Sequence, residues 1–162
     1  MHRNIYKLGQ PKLFTDKMPK QDVEEYLEAI LDIVSEKDVA KTTDIAQTLG
    51  VSPSSVTEVI QRLNKNDLIF YEPYKGATLT EKGLKIANKI KRKHRLLEIF
   101  LADYLKINSA NIHKEACRME HCISDEVTDA LCKTMGGPSK CPCGKNIPKC
   151  DPNADCDLCL RR

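Results

Sequence analysis

Residues 44–80 read "DIAQTLGVSPSSVTEVIQRLNKNDLIFYEPYKGATLT". A short helix is expected over about 43–49, closed by Gly50, which tolerates the left-handed backbone that ends many helices. "VSPS" turns the chain. A second helix is expected over about 53–66, with Val56, Val59, Ile60 and Leu63 recurring on one face. Residues 68–80 then read as two short strands around a "PYKG" turn, a β-hairpin.

Upstream, "DVEEYLEAILDIVSE" (22–36) places Val23, Tyr26, Leu27, Ile30, Leu31 and Val34 at helical spacing, with Asp22 as a plausible cap. Helix, helix, tight turn, helix, hairpin is the order of a winged helix-turn-helix. In that motif the second helix of the pair enters the DNA major groove. The outward residues of the expected recognition helix are Ser52, Ser54, Ser55, Thr57, Glu58, Gln61 and Arg62. Hydroxyls, amides and guanidinium groups suit phosphates and base edges. Lys75 sits at the wing tip, where a cation would meet a phosphate. Glu58 runs against this, since a carboxylate repels phosphate unless it accepts from cytosine. A helical bundle with a small hairpin and no DNA role shares the same coarse pattern.

Downstream, 80–107 reads as one long helix carrying the basic run "KIKRKHR" at 89–95. Next comes "SANIHKEACRMEHC", one helix to about 121 or 122, then a break near Ser124 and a second helix to about 135. At about 100° per residue, His113, Cys117, Glu120 and His121 share one arc of about 100°. His94 and Glu98 stand one turn apart on the preceding helix, and Glu25 and Glu28 share a face of the first. A lone His or Glu on a helix is usually a solvated or packed group. Eight such donors at ligand spacing on three helices point instead to metal binding.

Composition bounds the rest. The chain has 162 residues, 41% hydrophobic and 30% charged, with no Trp, so an aliphatic core is expected in one or two small domains. A net charge of +3 singles out no partner. Residues 1–20 form an expected basic arm: Arg3, Lys7, Lys12, Lys17 and Lys20 stand against the single acid Asp16. No apolar segment of secretory type opens the chain and no apolar run reaches membrane-spanning length, so a cytoplasmic protein is expected, with no membrane partner. Eight cysteines there favour thiols or metal ligands over disulfides.

"KHRLLEIFL" followed by "HKEACRMEHCISDEV" closely resembles the metal-dependent repressors typified by the diphtheria toxin repressor and the manganese transport regulator. Residues 44–83 fit their winged helix equally well, and the resemblance covers roughly 20–148. It implies a mainly α fold: an N-terminal winged helix-turn-helix with a β-hairpin wing, then an α-helical dimerisation domain. It implies a homodimer that binds double-stranded operator DNA with Fe(II) or Mn(II) as co-repressor. Carried over, His94, Glu98 and His113 match the family's ancillary metal site. Glu25, Cys117, Glu120 and His121 match the primary site, and Glu28 matches a carboxylate of the manganese-type members. The set is a hybrid. Cys117 matches iron-type members, while Glu25 matches neither the Met of iron-type nor the Asp of manganese-type members. A thiolate favours Fe(II) over Mn(II), and carboxylates pull the other way. The longer members end in a small β-barrel, for which residues 136–162 are too few.

The expected organisation is a basic arm (1–20), a DNA-binding winged helix (21–80), a metal-binding and dimerisation domain (81–138) and a cysteine-rich tail (139–162). The tail holds Cys141, Cys143, Cys150, Cys156 and Cys159 in CxC and CxxC pairs. Zinc is the first reading of that spacing, an iron–sulfur cluster the second, and a disordered tail of free thiols the third. The rival functions are a metalloenzyme, for which no separate general acid or base stands out, and an iron–sulfur redox sensor acting through the tail.

Overall fold

The computed structural model of the chain describes residues 18–150. The arm at 1–17 and the cysteines Cys156 and Cys159 lie outside the described residues. Helix α1 (Lys20–Lys37) leads to α2 (Thr42–Leu49) and α3 (Pro53–Lys65). Strands β1 (Ile69–Glu72) and β2 (Gly76–Leu79) pair antiparallel, with Ile69 opposite Leu79 and Glu72 opposite Gly76. Then follow α4 (Glu81–Ile99), a π-helical turn (Phe100–Tyr104), α5 (Ser109–Glu120) and α6 (Asp125–Thr134).

Two boundaries differ from the sequence reading. Helix α1 starts at Lys20, so Asp22 lies in its first turn instead of capping it. The long helix stops at Ile99 and relaxes through the π turn, where the backbone N–H of Leu105 reaches back to the carbonyl of Phe100. The other punctuation follows local chemistry. Gly50 closes α2 at φ 67°, and the hydroxyls of Ser52, Thr80 and Ser124 cap α3, α4 and α6.

The winged half packs Leu27, Ile30, Ile45, Val56, Ile60, Leu63, Leu68 and Ile69 into an aliphatic core. The wing is tied down where Ala40 and Ala77 exchange two backbone hydrogen bonds of 3.0 and 2.8 Å. Leu97, Leu101 and Ala116 form a second cluster between α4 and α5. Leu96, Cys132 and Cys150 form a third. The entry of α4 is held by close backbone approach. A Cβ on Gly83 would sit 1.9 Å from the carbonyl oxygen of Leu68. Gly83→Ala is therefore expected to lower stability by about 1–3 kcal/mol or more, as overpacking does. An unchanged urea midpoint would contradict this approach.

The basic run at 89–95 is largely internal. Lys91 pairs with Glu28 and Asp32 of α1, Arg92 with Asp129, Lys93 with Asp125, and Arg95 with Glu98. Helix α4 is thus pinned by charge to α1 on one side and α6 on the other. Among the described residues, no helix is long and apolar enough to cross a membrane.

Candidate metal centre and nucleic-acid surface

His94 is the hub of the donor cluster. It is 2% exposed and sits on the face of α4 turned towards α5. Its Nδ1 lies 2.7 Å from Glu120 Oε2, and its Nε2 lies 3.1 Å from both Glu98 Oε1 and His113 Nδ1. Cys117 Sγ stands 3.9 Å from His94 Nδ1 and 3.7 Å from His113 Nε2. His113, Cys117 and Glu120 come from the single stripe of α5 seen in the sequence. His94, His113 and Cys117 can point donors at one small volume, as can Glu28, His94 and Glu120.

His121 continues the cluster towards α1. Its Nδ1 donates to Glu24 Oε2 at 2.9 Å and its Nε2 to Glu120 Oε1 at 3.3 Å. Glu25 Oε1 is 3.9 Å from the same ring and accepts from Gln21 at 2.9 Å. Of the adjacent acids Glu24 and Glu25, the inward one is therefore Glu24, 3% exposed and absent from the sequence assignment. Spacing alone did not choose between the two acids: Glu24 and Glu28 are four apart and share a stripe, as Glu25 and Glu28 do at three. Cys117, matched by resemblance to the Glu120 and His121 set, lies beside His94 and His113.

Without a metal ion these charges neutralise one another. Burial opposes a charge on His94, yet Cys117, Glu120 and Glu98 hold its pKa up at about 11. Glu120 and Glu24 raise that of His121 to about 10. Burial likewise opposes ionised Glu98, but His94 and Arg95 bring it down to about 2. Burial raises Glu28, and the facing Glu120 adds to the rise. Two imidazolium rings thus stand among buried carboxylates, where a divalent cation of the same total charge would serve. Carboxylates, imidazoles and a thiolate converging from three helices fit such an ion.

The residues expected to face DNA lie on α3, at its cap and on the wing. Ser52, Ser54, Ser55, Glu58 and Gln61 are exposed, and Thr57 and Arg62 are half-buried. Ser52 Oγ is partly engaged as the cap, accepting from Ser55 N at 3.2 Å, and Thr57 Oγ1 donates to Pro53 O at 2.9 Å. Glu58 is paired with Arg62, which offsets the repulsion that its carboxylate would offer a phosphate. Lys75 bonds Glu72 at 2.6 Å on the wing. Beside it Tyr74 is fully exposed and Phe70 is 66% exposed, two surface aromatics that the sequence reading did not single out.

A winged helix whose first helix and following helices share one buried donor cluster defines a metal-responsive DNA-binding regulator. Residues 18–77 match the iron dependent repressor N-terminal DNA binding domain. Residues 80–149 match the iron dependent repressor metal binding and dimerisation domain. A helix-turn-helix transcriptional regulator of Methanocaldococcus jannaschii is 41% identical over 112 residues, covering 68% of this chain and 90% of that protein. The regulator MntR of Shouchella clausii is 40% identical over 114 residues, covering 70% and 79%. The manganese regulator SloR is 35% identical with a TM-score of 0.70. The matched region is 78% of this chain but only 59% of SloR. The chain belongs to the iron-dependent repressor family of metal-dependent, DNA-binding transcriptional regulators, and it is a repressor rather than an enzyme.

Proposed function

We propose that the chain is a homodimeric repressor that grips double-stranded operator DNA when Fe(II) or Mn(II) is bound, with Fe(II) favoured by the Cys117 thiol. The observation that carries this is the contact of His121, which caps α5 and bonds Glu120, with Glu24 and Glu25 on α1. Helix α1 packs on α2 and α2 on α3 in one core, so a shift of α1 would be passed on to α3. Residues 21–80 would read the DNA, and 81–138 would sense metal and dimerise.

The ligands would be His94, Glu98 and His113 for one ion, and Glu25, Glu28, Cys117, Glu120 and His121 for the other. A bound divalent ion supplies the positive charge that lets these acids, rings and thiolate stay close once His94 and His121 have lost their protons. The residues themselves do the rest. His121 would ligate through Nε2 and could keep its Nδ1 bond to Glu24, and Glu25 would turn towards the same ion. An ion shared by His121 and Glu25 would tie α1 to the end of α5. Two recognition helices fixed in this way would reach half-sites about one DNA turn apart.

Titrating Fe(II), Mn(II) and Zn(II) into metal-free protein while following duplex binding tests the reading. A duplex selected from a random pool with loaded protein should be bound about ten- to a hundredfold more tightly with the physiological ion. Equal affinity with and without every ion would overturn it.

The dimer would form through 109–135. Ile112, Ala116, Met119, Ile123 and Leu131 pack at least partly against α4 or the π turn, whereas Val127 and Ala130 are exposed. Light scattering at micromolar concentration should give twice the 18.3 kDa chain mass. A monomer in both metal states would count against this.

A further inference from the structure

Two cations of α4 already stand against carboxylates expected to hold metal. Arg95 Nη1 donates to Glu98 Oε2 at 2.9 Å, beside Cys141 and Cys143, whose sulfurs and a Glu98 oxygen lie within 4.8 Å of one another. Lys91, one turn earlier, does the same to Glu28. Its Nζ donates to Glu28 Oε1 at 3.3 Å and also to both carboxylate oxygens of Asp32.

We propose that Lys91 determines which ion the centre prefers: by occupying Glu28 it weakens the site for Mn(II) and leaves the choice to the Cys117 thiolate and the imidazoles, which favour Fe(II). This rests on the ligand set proposed above and names the residue that decides between its two ions.

The placement follows from helical spacing. Glu28 and Asp32 are one turn apart on α1, and Lys91 and His94 are one turn apart on α4, so the two pairs face each other. Glu28 therefore lies between an ammonium and the metal donors. One of its oxygens is within 4.8 Å of donor atoms on His94 and Glu120. The ammonium is fixed as well as near. The Lys91 side chain is 14% exposed, and both of its carboxylate partners come from α1. Asp32 grips it with two oxygens, so Glu28 can turn towards an ion without releasing Lys91 from the junction.

A fixed ammonium acts on an incoming ion in two ways. It repels any divalent cation a few ångströms away, and it draws electron density from the carboxylate that the cation would use. The repulsion is the same for every divalent ion. Selectivity arises because the ions depend on Glu28 to different degrees. Mn(II) binds weakly to nitrogen and sulfur and relies on carboxylates, whereas Fe(II) gains more from imidazole and thiolate. Taking one carboxylate partly out of use therefore costs Mn(II) more.

Fe(II) and Mn(II), each titrated anaerobically into the metal-free full-length chain, are the probes. Free Mn(II) is read from its electron paramagnetic resonance signal, and Fe(II) by competition with a chromogenic chelator. Lys91→Gln should raise Mn(II) affinity about tenfold, the scale on which partners of metal ligands act. Fe(II) affinity should rise far less, so the preference for Fe(II) narrows. Lys91→Arg keeps the charge and should keep the wild-type preference. Glu28→Gln should weaken Mn(II) binding, and adding Lys91→Gln to it should then restore nothing, the mark of an effect exerted through Glu28. Circular dichroism and melting of the metal-free variants check that α1 stays packed on α4; Asp32, 52% exposed, can turn to water when Lys91 is neutral.

An unchanged preference in Lys91→Gln, an equal shift in Lys91→Arg, or a full Mn(II) gain in the Glu28→Gln background would overturn the proposal. If Glu28→Gln weakens Mn(II) in that event, the ligand set stands without it. If Glu28→Gln weakens neither ion, the ligand set falls at Glu28 and the role of Lys91 falls with it. If the preference shifts as expected while duplex binding ignores every ion, Lys91 keeps its role and the regulatory reading falls.

Discussion

His121→Ala and Glu120→Gln should each erase the response of duplex binding to Fe(II) or Mn(II). Glu120 is 2% exposed and accepts from both His94 and His121, so one side chain touches both expected ligand sets. Glutamine keeps its size but removes the charge that a cation needs. His121 is the ring that contacts α1, through Glu24 and Glu25. On the mechanism proposed above, losing it would weaken the link from the ion through α1 to α3. The expected loss is the whole coupling, about 1.4–2.8 kcal/mol for a ten- to a hundredfold effect. Anisotropy with a labelled duplex should show equal affinities with and without metal for both variants. Far-ultraviolet circular dichroism should stay near wild type, since Leu97, Leu101 and Ala116 still pack α5 on α4. Metal-responsive binding by both variants would remove these two residues from the site.

The parts of this protein that depend on spacing along one element were legible before any coordinates. Helix α3, the hairpin and the α5 stripe each follow from local periodicity and turn chemistry, which neighbours cannot easily override. What depends on contact between distant segments was not. The basic run at 89–95 is rich in cations, yet nothing local shows that Asp125 and Asp129 arrive from α6 to pair with it. Glu24 and Glu25 are adjacent acids at the start of one helix. Only the position of α5 decides that Glu24 is the buried one. The tail cysteines were read through their mutual spacing, and that spacing carries no information about Glu98, more than forty residues earlier. In each case the missing quantity is a tertiary distance. The charge or donor chemistry on each side was visible, and its partner was not.

Metal affinity should rise steeply with pH, by about tenfold or more per unit between pH 6 and 8. A ligating imidazole must be neutral, and a ligating cysteine must be a thiolate. Burial notwithstanding, His94 is protonated up to about pH 11 in the metal-free chain, held so by Cys117, Glu120 and Glu98. His121 stays protonated up to about pH 10 through Glu120 and Glu24. Each ion must therefore expel at least one proton, and one expelled proton gives a tenfold change in affinity per pH unit. The same groups set the stability of the metal-free fold. Both histidines have folded pKa values above their ordinary 6.5. Their stabilisation is full below that value and fades as pH climbs towards 10 and 11. Glu98 is depressed from 4.5 to about 2, so its contribution is full above 4.5 and fades as pH falls towards 2. The metal-free centre should then be most stabilising between about pH 4.5 and 6.5, and metal-free protein should lose thermal stability from pH 6.5 to 9. Metal-loaded protein should not lose it, because the bound cation replaces the protons being removed. Calorimetry in buffers of different ionisation enthalpy counts the protons released per ion. A count of zero, with affinity flat across pH 6 to 8, would mean that neither histidine is a ligand.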